Sequence, residues 1–295
     1  MAISESELER WTGLGAVKGS ADTYASIKKA LNGHSWPKPM QYDVYLQGSY
    51  ANSTNIRGDS DVDVVVEFTS VAYSNLTQEE KASLHIGAGA YAYKDCLVEV
   101  TKALKKYYGE KQVDTSGGKA IKVLAQPGRL KADVLPCVKY KRYESMKVIA
   151  EGITFWNQRD NQQVINYPKL HIDNGVAKNR KERTNEWYKP AVRMFKNARN
   201  AIIGNSDELR KAFPSYFVEC LLYNAMDGTF GKTWQDTYAQ VVNYLNGAFL
   251  DKTVSKFTTQ NGQTYLFGLA SVQWSAQNAS NFTQRLVKLW NDWKS

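Results

Sequence analysis

Three aspartates inside apolar, strand-like segments constrain this chain more than any other feature. Asp61 and Asp63 open the run Asp-Val-Asp-Val-Val-Val, and Asp133 stands within Leu-Lys-Ala-Asp-Val-Leu. Runs rich in valine are typical of β-strands. Residues two apart on a strand project from the same face, about 7 Å apart, so Asp61 and Asp63 point the same way. Acids in such strands need a cation or hydrogen-bond donors, because burying an unpaired charge is costly.

The chemistry of these acids favours a divalent cation. Two carboxylates this close repel each other unless a cation lies between them. Carboxylate oxygens suit Mg²⁺ or Mn²⁺, which also bind substrate phosphates. Upstream, Gly48-Ser49 lies at a turn whose N–H groups and hydroxyl could hold a phosphate. The alternatives are a solvent-facing acid pair on an edge strand and an ordinary Gly-Ser turn.

The composition excludes several classes of protein. Of the 295 residues, 43% are hydrophobic and 23% are charged, which is ordinary for a globular protein. No window has the roughly 18 uncharged apolar residues of a membrane span, and the acidic start of the chain does not resemble a secretory signal. Its three cysteines lack metal-binding spacing, so we expect a reduced, cytoplasmic protein. The net charge of +9 predicts attraction to polyanions such as nucleotides.

Hydrophobic patterning divides the chain into an α/β part and a helical part near Pro168. In the first part we predict one or two helices over 4–31 with an interruption at Gly19, a mostly helical segment over 75–108 weakened at Gly87 and Gly89, and a hairpin or irregular excursion over 152–165. The predicted strands are 42–47, 61–68, 112–115, 120–124 and 130–140. The predicted helices of the second part are 190–203, 214–225, 234–250 and 278–293.

These segments resemble a known family. Gly48-Ser followed by Ser-Asp-x-Asp, with a third Asp on a later strand, resembles the polymerase β-like nucleotidyltransferases. The segments Asn166-Tyr-Pro-Lys-Leu-His-Ile, Lys189-Pro-Ala-Val-Arg-Met-Phe-Lys and Ser215-Tyr-Phe-Val-Glu-Cys are similar to bacterial cGAS/DncV-like nucleotidyltransferases (CD-NTases), above all those of clade E.

The resemblance implies an α+β fold with two domains. A nucleotidyltransferase core of mixed sheet and flanking helices would cover residues 1–167, including the N-terminal helix. A helical C-terminal domain would cover residues 168–295, with the active site in the cleft between the two domains.

The resemblance also implies the catalytic residues. Asp61 and Asp63 would bind two Mg²⁺ or Mn²⁺ ions, and Asp133 would complete the site that activates the attacking ribose hydroxyl. Two cations can lower the pKa of that hydroxyl and neutralise the leaving pyrophosphate. Because no separate histidine base is then needed, we interpret all three histidines as structural: His34, His85 and His171.

A further set of residues is implied to bind the nucleotides. Gln47, Gly48 and Ser49 would form the turn that grips the phosphates. Lys196 and Ser215 would contact the triphosphate, since a lysine charge and a helix N-terminus both suit phosphate. The alternative for Lys196 is exposure to solvent, because it lies off the apolar stripe of its helix.

Base recognition is implied for Asn166. Its amide can match the edge of uracil, and in this group an Asn near this position is associated with a preference for pyrimidines. The alternative is a capping role in the turn before Tyr167-Pro168. Tyr50 or Tyr216 could stack on a base, although most aromatic residues belong to cores.

The implied activity is the joining of two ribonucleoside triphosphates, with release of pyrophosphate, into a cyclic dinucleotide. UTP and ATP are the expected substrates, with cyclic UMP–AMP or cyclic di-UMP as the product; the alternative is cyclic di-GMP from GTP. The product would be a second messenger in bacterial anti-phage (CBASS) signalling and would activate a downstream effector.

Two other classes of function stay open at this point: a template-independent RNA 3′-end nucleotidyltransferase and a non-catalytic binding module. We expect no membrane partner and no nucleic-acid activator, and we interpret the basic run 178–183 as a solvated face.

Overall fold

The computed structural model describes residues 2–15, 17–37, 40–58, 61–270 and 272–293. The chain forms two compact units. The sheet unit comprises Ala16–Tyr50 and Ser60–Lys169, and the helical unit comprises Met1–Gly15, Ala51–Asp59 and Leu170–Ser295. Ser60 of the Ser-Asp-x-Asp motif lies outside the described residues.

The helices are α1 (Glu5–Trp11), α2 (Lys18–Asn32), α3 (Gly48–Asn52), α4 (Gln78–Ser83), α5 (Tyr93–Tyr108), α6 (Pro168–Lys178), α7 (Lys181–Thr184), α8 (Tyr188–Ile203), α9 (Asp207–Ala212), α10 (Ser215–Tyr223), α11 (Trp234–Leu250) and α12 (Ala276–Asn291). The strands are β1 (Tyr42–Leu46), β2 (Asp61–Ser74), β3 (Val113–Asp114), β4 (Ile121–Val123), β5 (Lys131–Glu144), β6 (Lys147–Trp156) and β7 (Gln163–Asn166). Among the described residues, no helix is long and apolar enough to cross a membrane.

The sheet unit is organised by two long central strands. β2 and β5 are parallel, and the sheet continues from them as β1-β2-β5-β4-β3. β6 extends β5 as an antiparallel hairpin, and β7 pairs with β6. The valine-rich part of β2 lies in one hydrophobic core with β5, α2 and α5, which explains why this strand is so apolar.

The helical unit has its own core, built by α1, α8, α10, α11 and α12. At its centre the rings of Phe195 and Tyr238 stack with centroids 5.0 Å apart. The prediction assigned the whole of residues 1–167 to the catalytic core, but the segment with α1 belongs to the helical unit. The physical reason is that Leu8 and Trp11 of α1 are buried in the same core as α8 and α11.

Several element predictions are confirmed and some are wrong in detail. The helices predicted over 190–203, 214–225, 234–250 and 278–293 correspond to α8, α10, α11 and α12. The break expected near Gly87 and Gly89 separates α4 from α5. Strand β2, however, runs to Ser74, beyond a register shift between Phe68 and Ala72.

The predicted interruption at Gly19 is wrong. The break lies between Trp11 and Lys18, and Gly19 is inside α2. A Cβ atom at position 19 would lie 3.1 Å from Cγ of Leu130. The glycine therefore allows close packing of the helix and does not end it.

The short helix α3 was not predicted either. It begins at Gly48 within a segment whose Gly, Asn, Ser and Thr residues indicated only turns. Tertiary contacts commonly override such local preferences.

Candidate active site

The alternation of β2 sorts its side chains onto two faces. Val62, Val64 and Val66 are buried, and Asp61 and Asp63 project from the opposite face because successive residues of a strand alternate. The face of the two acids is itself buried further along the strand, at Val65 and Glu67, so Asp61 and Asp63 lie at its more open end.

Parallel pairing with β5 adds the third acid to that face. Asp63 lies opposite Asp133, and Asp61 lies opposite Lys131. The three aspartates singled out in the sequence therefore occupy neighbouring positions on one face of the sheet. Lys131 was missed there, although its position two residues before Asp133 puts it on the same face.

The carboxyl group of Asp133 is poised for a positively charged partner. Its Oδ1 atom is buried and has no hydrogen-bond partner among the residues that the structure describes. Burial raises the pKa of Asp133, while Lys131 and Lys122 oppose that effect. A buried carboxylate oxygen without a donor is rare, and a cation beside it would remove the penalty.

Lys131 forms an ion pair with Asp61. Its Nζ lies 2.5 Å from Oδ2 of Asp61. This hydrogen bond raises the pKa of Lys131. Both side chains remain partly exposed, so the contact is open to exchange with solvent or with another charged group.

The turn before α3 approaches the acids closely. Gln47 donates its backbone N–H to the carbonyl of Asp63 at 3.0 Å, which ties the end of β1 to β2. Gly48 follows with φ of +65°, and a Cβ atom there would overlap Oδ2 of Asp63. Only glycine both adopts this conformation readily and leaves room for that carboxylate. Ser49 comes next, inside α3.

A buried glutamate lies further along the face of the acids. Glu67 accepts a hydrogen bond from the hydroxyl of Tyr45 at 2.9 Å and from Nζ of Lys169 at 2.7 Å. The ammonium of Lys169 also lies 4.8 Å from the centre of the Tyr45 ring. Glu67 was not singled out from the sequence. Its position in an apolar run, four residues after Asp63, places it on the same face of the strand.

Asn166 is the last residue of β7, opposite Ile153 of β6. A Cβ atom at the neighbouring Gly152 would lie 2.5 Å from the carbonyl oxygen of Asn166 and 2.7 Å from Cδ1 of Tyr167. The glycine lets the two backbones approach, and Lys169 holds the chain to Glu67 three residues later. The backbone at Asn166 is therefore held on both sides.

In the helical unit, Lys196 is buried and does not face solvent, so the alternative of exposure is wrong. Only 2% of its side chain is exposed, and its Nζ lies 3.0 Å from Oε2 of Glu219. It also donates to the carbonyl and the hydroxyl of Thr54, at 3.1 and 3.2 Å. The apolar pattern of α8 did not reveal this, because the partner acid lies on another helix.

Glu219 is the centre of this buried network. Besides Lys196, it accepts hydrogen bonds from Asn52, from Thr54 and from Nε2 of His171. Burial alone would raise the pKa of Glu219, but Lys196 and His171 outweigh it and hold that pKa well below its usual range. The carboxylate is therefore ionised and fully partnered.

Ser215 begins α10, one turn before Glu219. The ring of the next residue, Tyr216, lies 5.0 Å from the ring of His171 and stays partly exposed. The predicted site residues thus fall into two groups. Gln47, Gly48, Ser49, the three aspartates and Asn166 belong to the sheet unit, and Lys196 and Ser215 belong to the helical unit.

Comparison with known proteins accounts for both units. Residues 17–167 match the Second Messenger Oligonucleotide or Dinucleotide Synthetase domain, and residues 173–291 match the cGAS/DncV-like nucleotidyltransferase C-terminal helical domain. The chain is 46% identical to the cyclic UMP-AMP synthase of Rhodothermus marinus, over 99% of both proteins. This chain belongs to the cGAS/DncV-like nucleotidyltransferases of clade E. The predicted family and the predicted α+β fold are confirmed.

Other relatives place the chain within this CD-NTase family. It is 34% identical to the cyclic nucleotide synthase CdnE01 of Staphylococcus haemolyticus, over 99% of this chain and 100% of that protein. The solved structure of the Rhodothermus CdnE with Apcpp and Upnpp matches with a TM-score of 0.91 and 45% identity, over 99% and 98% of the two chains. That of the Elizabethkingia meningoseptica CdnE with GTP and Apcpp matches with a TM-score of 0.80 and 26% identity, over 97% and 98%.

Gly48→Ala tests the close approach to Asp63. We expect a large loss of nucleotidyl transfer, because the new Cβ overlaps the carboxylate and the positive φ is strained. Gly58→Ala is the matched control: Gly58 has φ of +95°, but no atom of the described part of the chain lies within 4 Å of a Cβ atom there. Pyrophosphate release should fall in the first variant and stay near wild type in the second. Equal losses would show that conformational strain alone matters.

Glu219→Gln tests the buried network of the CD-NTase helical unit. Removing one partner of a buried ion pair typically costs about 3–5 kcal/mol, so urea unfolding at pH 7 should show a large loss. The pKa of Glu219 is lowered on folding. Its contribution to the free energy of unfolding is therefore fully present above the ordinary pKa of 4.5 and is lost as the pH falls below that value. The gap in unfolding free energy between wild type and variant should therefore narrow below that pH; a constant gap would contradict the assignment.

Proposed function

We propose that this chain is a cyclic dinucleotide synthase that joins two ribonucleoside triphosphates with release of pyrophosphate. The proposed product contains uridine, as cyclic UMP–AMP or cyclic di-UMP. The observation that carries the proposal is the register that sets Asp61 and Asp63 of β2 beside Asp133 of β5, in a chain 46% identical to a cyclic UMP-AMP synthase. Second-messenger signalling to an effector in anti-phage defence follows from the family as a further part of the proposal.

We propose that the acids hold two Mg²⁺ or Mn²⁺ ions. Asp61 and Asp63 would bind both ions, and Asp133 would complete the site. The fit rests on the buried Oδ1 of Asp133, which accepts no hydrogen bond from any described residue, and on Gly48, which has no side chain beside Asp63. Among the described residues, no group of three or more His, Cys, Asp or Glu side chains is already arranged around an ion position. When bound, such ions lower the pKa of an attacking hydroxyl and neutralise charge on pyrophosphate.

The chain's own residues would bind and orient the reactants. Gln47, Gly48 and Ser49 would hold the phosphates, because the glycine lets the backbone come close and the serine offers a hydroxyl. Oδ1 of Asp133 loses no existing hydrogen bond when it accepts one from a ribose hydroxyl. That contact would orient the hydroxyl oxygen for attack on the α-phosphate.

Asn166 is proposed to choose the base. The Rhodothermus structure holds ATP and UTP analogues, whereas the Elizabethkingia structure holds GTP and an ATP analogue. Since these proteins share one fold, side chains and not the fold must decide between bases. An amide held at the end of β7 offers uracil one acceptor and two donors.

Lys196 and Ser215 remain the proposed contacts to the triphosphate tail. Lys196 is surrounded by Glu219 and Thr54. To bind a phosphate it would exchange its Thr54 contacts and keep Glu219 as its counter-ion. A lysine can do so because its ammonium carries three rotatable donors.

The test is to supply Mg²⁺ or Mn²⁺ and all four ribonucleoside triphosphates, each in turn labelled at the α-phosphate. We expect a phosphatase-resistant small product that contains the uridine label. Phosphatase-sensitive or RNA-length products would identify a linear RNA transferase instead. A product with the guanosine label alone would make the uridine assignment wrong.

Asp61→Asn combined with Asp63→Asn should abolish product formation. The thermal transition should stay close to wild type, because like-charge repulsion on the sheet face is relieved. Asp43→Asn is the control, since Asp43 is an exposed acid on the neighbouring strand β1. Pyrophosphate release by the double variant would contradict the proposed metal site.

Asn166→Ser should shift base preference towards purines, because serine cannot offer an acceptor and two donors together. The measurement is kcat/KM for UTP and for ATP separately, and the ratio should change by at least about tenfold for the loss of one good amide contact. Gln163→Ser, at the other end of β7, is the control. An unchanged ratio would remove Asn166 from base recognition.

A further inference from the structure

Lys131 pairs with one carboxylate oxygen of Asp61, a proposed metal ligand. It faces Asp61 across the parallel pair β2–β5, and its Nζ lies 2.5 Å from Oδ2 of that acid. Metal–oxygen distances for Mg²⁺ are about 2.0–2.1 Å. An ammonium and a divalent ion cannot both bind one carboxylate oxygen at such distances without strong repulsion.

The charges that face Lys131 explain why it takes this position. Asp61, Asp63 and Asp133 all attract it, and Lys122 lies opposite Asp133 on β4 as a second cation. The face holds the three carboxylates at neighbouring positions. Lys131 reduces their mutual repulsion by pairing with one of them.

The ion pair is exchangeable. About one third of each side chain is exposed, 33% for Lys131 and 38% for Asp61, and partly exposed pairs contribute little net stability. The flexible four-carbon stem of lysine lets the ammonium move to another anion. The triphosphate of a nucleotide is such an anion, and it arrives at the same site.

We propose that Lys131 is a positioning residue that holds Asp61 in the metal-free protein and couples metal loading to nucleotide binding. Metal binding displaces the ammonium from Asp61, and the triphosphate then accepts it. A metal ion that binds alone must break the Lys131–Asp61 ion pair without compensation. When the metal binds together with nucleotide, the triphosphate accepts the displaced ammonium. This inference rests on the proposed function, since it requires the divalent site at the three aspartates.

The experiment measures Mn²⁺ binding by calorimetry, with no turnover, in the presence and absence of a non-hydrolysable UTP analogue. We expect wild type to bind Mn²⁺ weakly alone and more tightly with the analogue. Lys131→Met should bind Mn²⁺ alone at least about 5-fold more tightly, and the gain on adding the analogue should shrink by a similar factor, as a coupling between two ligands requires.

Two matched variants separate the ion pair from a general effect of charge. Lys131→Arg keeps a cation next to Asp61 and should behave like wild type. Lys122→Met removes a positive charge close to Asp133 and should change the affinity less than Lys131→Met does. If both methionine variants shift equally, the local field and not the ion pair is responsible, and the inference is overturned.

Failure of the inference is distinguishable from failure of the proposed function. If Asp63→Asn abolishes Mn²⁺ binding while Lys131→Met leaves the affinity unchanged, the metal site stands and the role of Lys131 is overturned. If Asp63→Asn leaves Mn²⁺ binding unchanged, the metal site itself is wrong. Lys131→Gln, which keeps a polar side chain, gives the same comparison if the methionine variant does not fold.

Discussion

The parallel pairing of β2 with β5 is the interaction on which the candidate site depends. It places Asp63 opposite Asp133 and Asp61 opposite Lys131, and a slip of β2 by one residue would turn Asp61 and Asp63 away from Asp133. The register is specified because Val62, Val64 and Val66 are buried in the hydrophobic core and a slip would replace them there with the two acids. The packing of the valines thus determines the geometry of the aspartates.

Much of this arrangement could be predicted because it follows from local patterns. Period-two alternation in β2 put Asp61 and Asp63 on one face, and apolar neighbours indicated a buried strand around Asp133. Contacts between distant segments could not be predicted in this way. Glu219 looks like any acid on a helix, and only the fold shows that it pairs with Lys196 on another helix and with Thr54 from the segment after α3.

The same limit applies to two cations that pair with acids on this face of the sheet. Composition does not separate Lys131 and Lys169 from the other 36 basic residues among the 38 of the chain, and the spacing that puts Lys131 on the face of Asp133 does not show that it pairs with Asp61. Their importance comes from acids they meet across the sheet: Asp61 for Lys131 and Glu67 for Lys169. For the family, by contrast, the sequence was sufficient, because the motifs extend over both units.

The glycine at position 152 has a consequence for how such proteins diversify. It leaves no room for a side chain beside Asn166 and Tyr167. Any larger residue at position 152 would therefore force the main chain at Asn166 to move. The proposed role of Asn166 in base choice would then lie in its side chain alone. On that proposal, new base preferences would arise by substitutions at position 166, on a backbone that stays the same.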